Sequence, residues 1–152
     1  MSVYKILTEP NPVLRQKSSA VKNINAGVLR VLENMRDTMY AADGVGLAAP
    51  QIGISKRIIV VDPGDNFIEI INPEIILSEG EQGGSEGCLS VPGKVGWLNR
   101  AQKITVKGLN SKGENIEIEA MNMLARVIQH EIDHLDGILF PDKAVRIRVD
   151  QK

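Results

Sequence analysis

Apolar positions set a rhythm along this chain, and the rhythm changes several times between Val28 and Leu135. Val28, Leu32, Met35 and Met39 recur at helical spacing, with Glu33, Arg36 and Asp37 on the opposite side. The spacing predicts a helix that starts near Asn25, a residue able to cap it, and stops before Gly44. Its methionines are read as core. Ahead of it, Pro10 and Pro12 punctuate residues 1–23, expected as an extended segment laid along the body. Arg57 to Asp62 is a nearly continuous apolar run, as a buried strand would be. Pro63-Gly64-Asp65-Asn66 is turn chemistry, and Phe67 to Asn72 returns as a second strand. Pro73 opens a third short run, Ile75 to Leu77, and Gly80 to Gly87 reads as a glycine-rich loop that delivers Cys88. Two strands, Ala101 to Leu109 and Asn115 to Glu119, flank the hairpin turn Asn110-Ser111-Lys112-Gly113. A last helix gathers Leu124, Val127, Ile128 and Leu135 on one face, with Gly137 placed for a left-handed cap. The charged end, Arg146 to Lys152, is expected to be partly disordered. Together these elements predict an α+β fold, with small antiparallel β-sheets packed around a central helix.

Composition narrows the class. With 152 residues, 43 % hydrophobic and 24 % charged, the chain is expected to form a single globular domain over 1–152. The net charge of −1 comes with no basic block, so there is no nucleic-acid motif. The N-terminus shows no signal-peptide core, and no apolar run approaches the length of a membrane span; a cytoplasmic protein is expected. One cysteine, Cys88, cannot form an internal disulfide. It is a candidate ligand or nucleophile, the alternative being a small buried hydrophobe.

Chemistry enters with the last helix. Both histidines of the chain fall in His130-Glu131-Ile132-Asp133-His134, a His-Glu-x-x-His pattern. Residues four apart share a helix face, so His130 and His134 can point two imidazoles at one metal ion. Glu131 sits beside them, where a carboxylate can take a proton from water. Two histidines leave a catalytic site one protein ligand short. No histidine follows His134, and the acids beyond it are Asp136, Asp142 and Asp150, so Cys88 is the strongest third candidate. Gly44-Val45-Gly46-Leu47-Ala48-Ala49 also matches Gly-x-Gly-x-x-Ala, but that dinucleotide fingerprint must follow a strand and open a helix. Here a helix precedes it and a strand-like run follows. A phosphate loop lacks its Lys-Ser/Thr end. What remains is a tight loop of small residues able to approach a ligand closely, with the Gln51 amide at its end.

Three stretches, in this order, resemble the peptide deformylase family: Gly-x-Gly-Leu-Ala-Ala-x-Gln at Gly44–Gln51, Glu-Gly-Cys-Leu-Ser at Glu86–Ser90, and Gln-His-Glu-x-Asp-His-Leu at Gln129–Leu135. The likeness spans nearly the whole chain. It implies a hydrolase that removes the formyl group from the N-terminal formyl-methionine of newly made polypeptides. It places the metal ligands on Cys88, His130 and His134, with water as the fourth. It implies Fe²⁺ as the ion, with Zn²⁺, Ni²⁺ or Co²⁺ able to substitute. The general base falls on Glu131, and the oxyanion donors on the Gln51 side chain and the Leu89 backbone N–H. Val45, Met123 and Val127 would border the methionine pocket, unless they are ordinary core, and the Gly46 backbone would bind the peptide. An ion pair between Asp43 and Arg100 would support the loops. The implied partners are N-formyl-methionyl nascent peptides at the ribosome, with no membrane contact, for a monomer of bacterial type. Two departures stand out: Pro50 precedes the glutamine, and little chain follows Asp142, so a longer C-terminal helix is not expected. Two rivals need other ligands: a metallopeptidase of the His-Glu-x-x-His type would not use Cys88, and a structural metal site would need a fourth protein ligand.

Overall fold

The fold was obtained as a computed structural model, and the described residues are 2–64 and 66–149. Asp65 of the predicted turn and residues 150–152 of the charged end lie outside them. The first helix, α1 (Ala26–Ala41), begins where the pattern predicts, because the Asn25 side chain accepts the Val28 N–H at 3.0 Å. Three antiparallel strands follow: β1 (Gly46–Ala48), β2 (Ile58–Val61) and β3 (Ile68–Glu79). Next come β4 (Gln82–Cys88), β5 (Val91–Arg100), β6 (Lys103–Leu109) and β7 (Asn115–Met121). Helix α2 (Asn122–Leu135) and strand β8 (Arg146–Val149) complete the described chain.

The strands form two antiparallel sheets, ordered β1-β2-β3-β6-β7 and β4-β5-β8. The apolar run of β2 is buried on both faces, which is why it does not alternate with polar residues. Ile58 and Val60 join Met35, Met39 and Leu47 in the core beneath α1. Ile59 and Val61 join Ile104, Ile128 and Leu135 in the core beneath α2. The larger sheet is therefore a wall between the two helices. The smaller sheet closes a third core of Val91, Leu98, Leu139 and Phe140.

Four local expectations are corrected. Gly80 to Gly87 is not a loop: β4 runs through Gly83 and Gly84, paired to Asn99 and Leu98 of β5. A side-chain methyl at Gly83 would lie 3.1 Å from Trp97, and one at Gly84 would lie 2.9 Å from the Arg126 guanidinium. These glycines make room for neighbours; they do not mark a turn. The separate run after Pro73 is instead the continuation of β3, because a register shift between Ile71 and Glu74 absorbs the proline. Asn72 sits there with φ 55°, its side chain bonding both the N–H and the carbonyl of Val21. The loop at Gly44–Gly53 is partly regular, with β1 followed by a 3-10 turn, Ala49–Ile52. Residues 146–149 are a strand, paired to Lys94–Trp97, where disorder was expected. Among the described residues no helix is long and apolar enough to cross a membrane.

Candidate metal centre and active site

Three elements meet at one place: the last turn and a half of α2, the end of β4, and the segment β1 with its 3-10 turn. Helix α2 brings His130 and His134 onto one side, with ring centroids 5.1 Å apart. Strand β4 ends at Cys88, where a two-residue turn through Leu89 and Ser90 reverses into β5. Its Sγ lies 3.3 Å from His134 Nε2. One donor atom from each of Cys88, His130 and His134 lies within 4.8 Å of the other two. That triangle fits a divalent cation bound through one thiolate and two imidazoles, a borderline-soft set suited to iron, zinc, nickel or cobalt.

The charges around the triangle favour a cation. Burial alone would lower the pKa of His130, but hydrogen bonds with Cys88 and Glu86, reinforced by the Glu131 charge, raise it to about 10. A pocket that holds a proton this strongly on an imidazole is one that stabilises positive charge. His130 Nδ1 lies 2.8 Å from Glu86 Oε1, which leaves Nε2 to face Cys88. His134 differs: burial, then the His130 charge, holds its pKa well below the ordinary value, so its ring is neutral. A neutral imidazole is the ligating form.

Glu131 is 4 % exposed, and its Oε1 has no hydrogen-bond partner among the described residues. Burial pushes its pKa up to about 7, against the lowering effect of His130. The carboxylate is thus poised near neutrality with an oxygen to spare. Gly46 allows its approach, since a methyl there would lie 2.5 Å from Glu131 Oε2 and 2.9 Å from Val127 Cγ1. Gln51 is 2 % exposed and fixed in orientation. Its Oε1 accepts the Ala48 N–H at 2.9 Å, so the amide nitrogen must point the other way. Nε2 donates to Ser90 Oγ at 3.0 Å and lies 3.8 Å from Cys88 Sγ.

A cavity of about 480 Å³ opens onto this centre. Cys88, His130, Glu131, Gln51 and the Leu89 turn lie along it, while His134 sits behind its wall. Gly46 and Val127 line it too, and Val45 and Met123 are exposed at its rim. Every candidate residue named from the sequence is therefore in this one region. The expected supporting pair is not formed: Arg100 pairs with Glu86 at 2.9 Å and Asp133 at 2.5 Å, and among the described residues no ion pair joins it to Asp43, which lies on the cavity rim with φ 54°.

Sequence reasoning missed the layer behind the ligands. Burial would raise the pKa of Glu86, but Arg100 and His130 hold its carboxylate well below the usual range. Arg126 reaches the same carboxylate at 2.6 Å. Ser90, fully buried, steadies Gln51. The N-terminal segment backs all three motifs. Leu7 N–H donates to the Gln51 carbonyl at 2.8 Å, Glu9 N–H to the Ser90 carbonyl at 2.9 Å, and Ser18 N–H to the Leu135 carbonyl at 2.8 Å. The Glu in Glu-Gly-Cys was a visible signal for its role; the others depend on contacts far apart in sequence.

Comparison with known proteins agrees with this geometry. The family profile described as polypeptide deformylase matches residues 3–150. The chain is 66 % identical over 151 residues to a peptide deformylase of Syntrophomonas wolfei, covering 99 % of both chains. It is 58 % identical over 147 residues to one of Carboxydothermus hydrogenoformans, covering 97 % of both. The crystal structure of peptide deformylase from Thermotoga maritima superposes with a TM-score of 0.93 at 41 % identity, over 96 % of this chain and 100 % of that one. With a family profile spanning almost its whole length and close relatives matched end to end, the chain belongs to the polypeptide deformylase family.

Proposed function

We propose that Glu131, Gln51 and Leu89 carry the reaction of this peptide deformylase, a hydrolase that removes the formyl group from the N-terminus of nascent peptides. Deformylases are metalloenzymes, and we assign the metal to Cys88, His130 and His134, with Fe²⁺ as the ion and Zn²⁺, Ni²⁺ or Co²⁺ able to replace it. The observation that carries these assignments is the triangle of half-buried Cys88 with buried His130 and His134, beside the Glu131 carboxylate at one cavity. Such a cation supplies Lewis acidity, which lowers the pKa of a water and polarises a carbonyl oxygen.

The side chains do the rest. Glu131 takes a proton from the attacking water as its oxygen bonds to the formyl carbon. Negative charge then grows on the formyl oxygen, toward which the second N–H of Gln51 and the Leu89 N–H donate. The C–N bond breaks, Glu131 passes its proton to the departing amine, and formate and a free N-terminus are left. A pKa of about 7 suits a group that must both accept and return a proton near neutral pH. The methionine side chain is assigned to the apolar ground by Val45, Met123 and Val127, and the peptide backbone to Gly46. We further assign the whole chain, 1–152, to one catalytic domain, acting as a monomer in the bacterial cytoplasm on N-formyl-methionyl chains at the ribosome. The bacterial sources of its relatives support that setting.

The test is formate release from a formyl-Met dipeptide by protein stripped of metal and reloaded anaerobically with Fe²⁺ or Ni²⁺. Release is expected with metal and not without it. Cys88→Ala is expected to lose both metal and activity; a variant that kept its metal would move the third ligand elsewhere.

A further inference from the structure

Arg126 carries a buried guanidinium that the reaction does not use. It lies one helical turn before His130 on α2, and its head leaves the helix to meet the smaller sheet. Nη1 donates to Glu86 Oε2 at 2.6 Å, and Nη2 donates to the Gln82 carbonyl at 3.1 Å. Both nitrogens also approach the Leu98 carbonyl at 3.5 Å. Gln82 and Glu86 belong to β4, and Leu98 to β5. One side chain thus grips both strands that present the Cys88 turn. Glu86 returns the grip, since its other oxygen meets His130 Nδ1 at 2.8 Å. Helix and strand are tied through one carboxylate at two points a turn apart. The strand is shaped for this tie: a methyl at Gly84 would lie 2.9 Å from Arg126 Nη2 and 3.1 Å from its Cζ.

We propose that Arg126 is a positioning residue that fixes the spacing between the strand bearing Cys88 and the helix bearing His130 and His134, and so sets how tightly those donors hold a cation. Cys88 and the histidines come from different elements, and nothing covalent nearby holds them in register. A planar fork with several donors can meet a carboxylate and two carbonyls together; a point-like ammonium cannot. Arg100 runs the opposite way, from β5 to Glu86 and to Asp133 on α2. Its Nε meets the same Glu86 oxygen at 2.9 Å, while its bond to Asp133 involves none of the Arg126 partners.

The inference rests on the ligand assignment above, and its test is a Co²⁺ titration of the metal-free full chain, followed by thiolate-to-cobalt charge-transfer absorption and the ligand-field bands. The parent is expected to show the thiolate band. Arg126→Met is expected to bind Co²⁺ at least about 10-fold more weakly, with shifted ligand-field bands. Arg126→Lys should recover part of that loss. Gly84→Ala keeps every polar group yet pushes on the guanidinium, so it should shift affinity in the same direction, and it carries the test with Arg126→Lys should Arg126→Met fail to fold. Variants that melt earlier but bind Co²⁺ with the parent's affinity and spectrum would overturn the proposal and leave Arg126 a purely structural residue. A parent without the thiolate band would overturn the ligand assignment itself, and the proposal with it.

Discussion

The reaction proposed above puts the Glu131 carboxylate, and the missing methyl at Gly46 beside it, under direct test. Glu131→Gln keeps size and polarity but removes the proposed base. We expect formate release to fall by about 10²-fold or more, with metal content unchanged by elemental analysis. Gly46→Ala reaches the same carboxylate from outside, because its methyl would lie 2.5 Å from Glu131 Oε2. Displacing a catalytic group by about an ångström costs about 10²-fold in rate, whereas relieving the clash should cost only about 1–3 kcal/mol in stability. Comparing kcat/KM with the melting temperature separates the two effects. His130, Glu131 and His134 were legible because their chemistry lies in one helical turn. Cys88 was legible because it is the one thiol available. Arg126 and Ser90 were not, since their partners stand 40 and 39 positions away and no local spacing announces them.

At the level of elements, glycine meant different things in different places. Gly137 behaves as its position after α2 predicts, with φ 76° in the left-handed region. It also lies under the N-terminal segment, where a methyl would meet the Arg15 carbonyl oxygen at 2.5 Å. Gly137→Ala therefore combines left-handed strain of about 1–2 kcal/mol with overpacking of about 1–3 kcal/mol. A lower urea midpoint with an unchanged slope is the expected result. Gly83 and Gly84, by contrast, were read as loop and are strand, because only the folded neighbours reveal that space is scarce there. The helices were read more accurately than the strands around Pro73 and Gly80. A capped amphipathic helix is specified locally, while a bulge or a crowded strand is specified by its partner.

For the whole molecule, the two helices on opposite faces of one sheet could be anticipated from a strand apolar at every position, but the strand order could not. Sheet order depends on pairings such as β3 with β6, which no sequence period encodes. Where the two sheets and α2 converge, Glu86 ties global stability to pH. Its folded pKa is depressed below the ordinary 4.5, so its contribution is complete above that value and drains away as pH falls below it. The melting temperature of the metal-free protein should decline below about pH 4.5, and less steeply in Glu86→Gln. The N-terminal segment has a consequence in time. Residues 7–18 lean in turn on Gln51, Ser90 and Leu135, so they find all three supports only after α2 has been made. Closing such long loops spends chain entropy before any contact repays it. With Glu131 and the two histidines assigned to α2, the centre proposed above cannot assemble in a growing copy before that helix has been made.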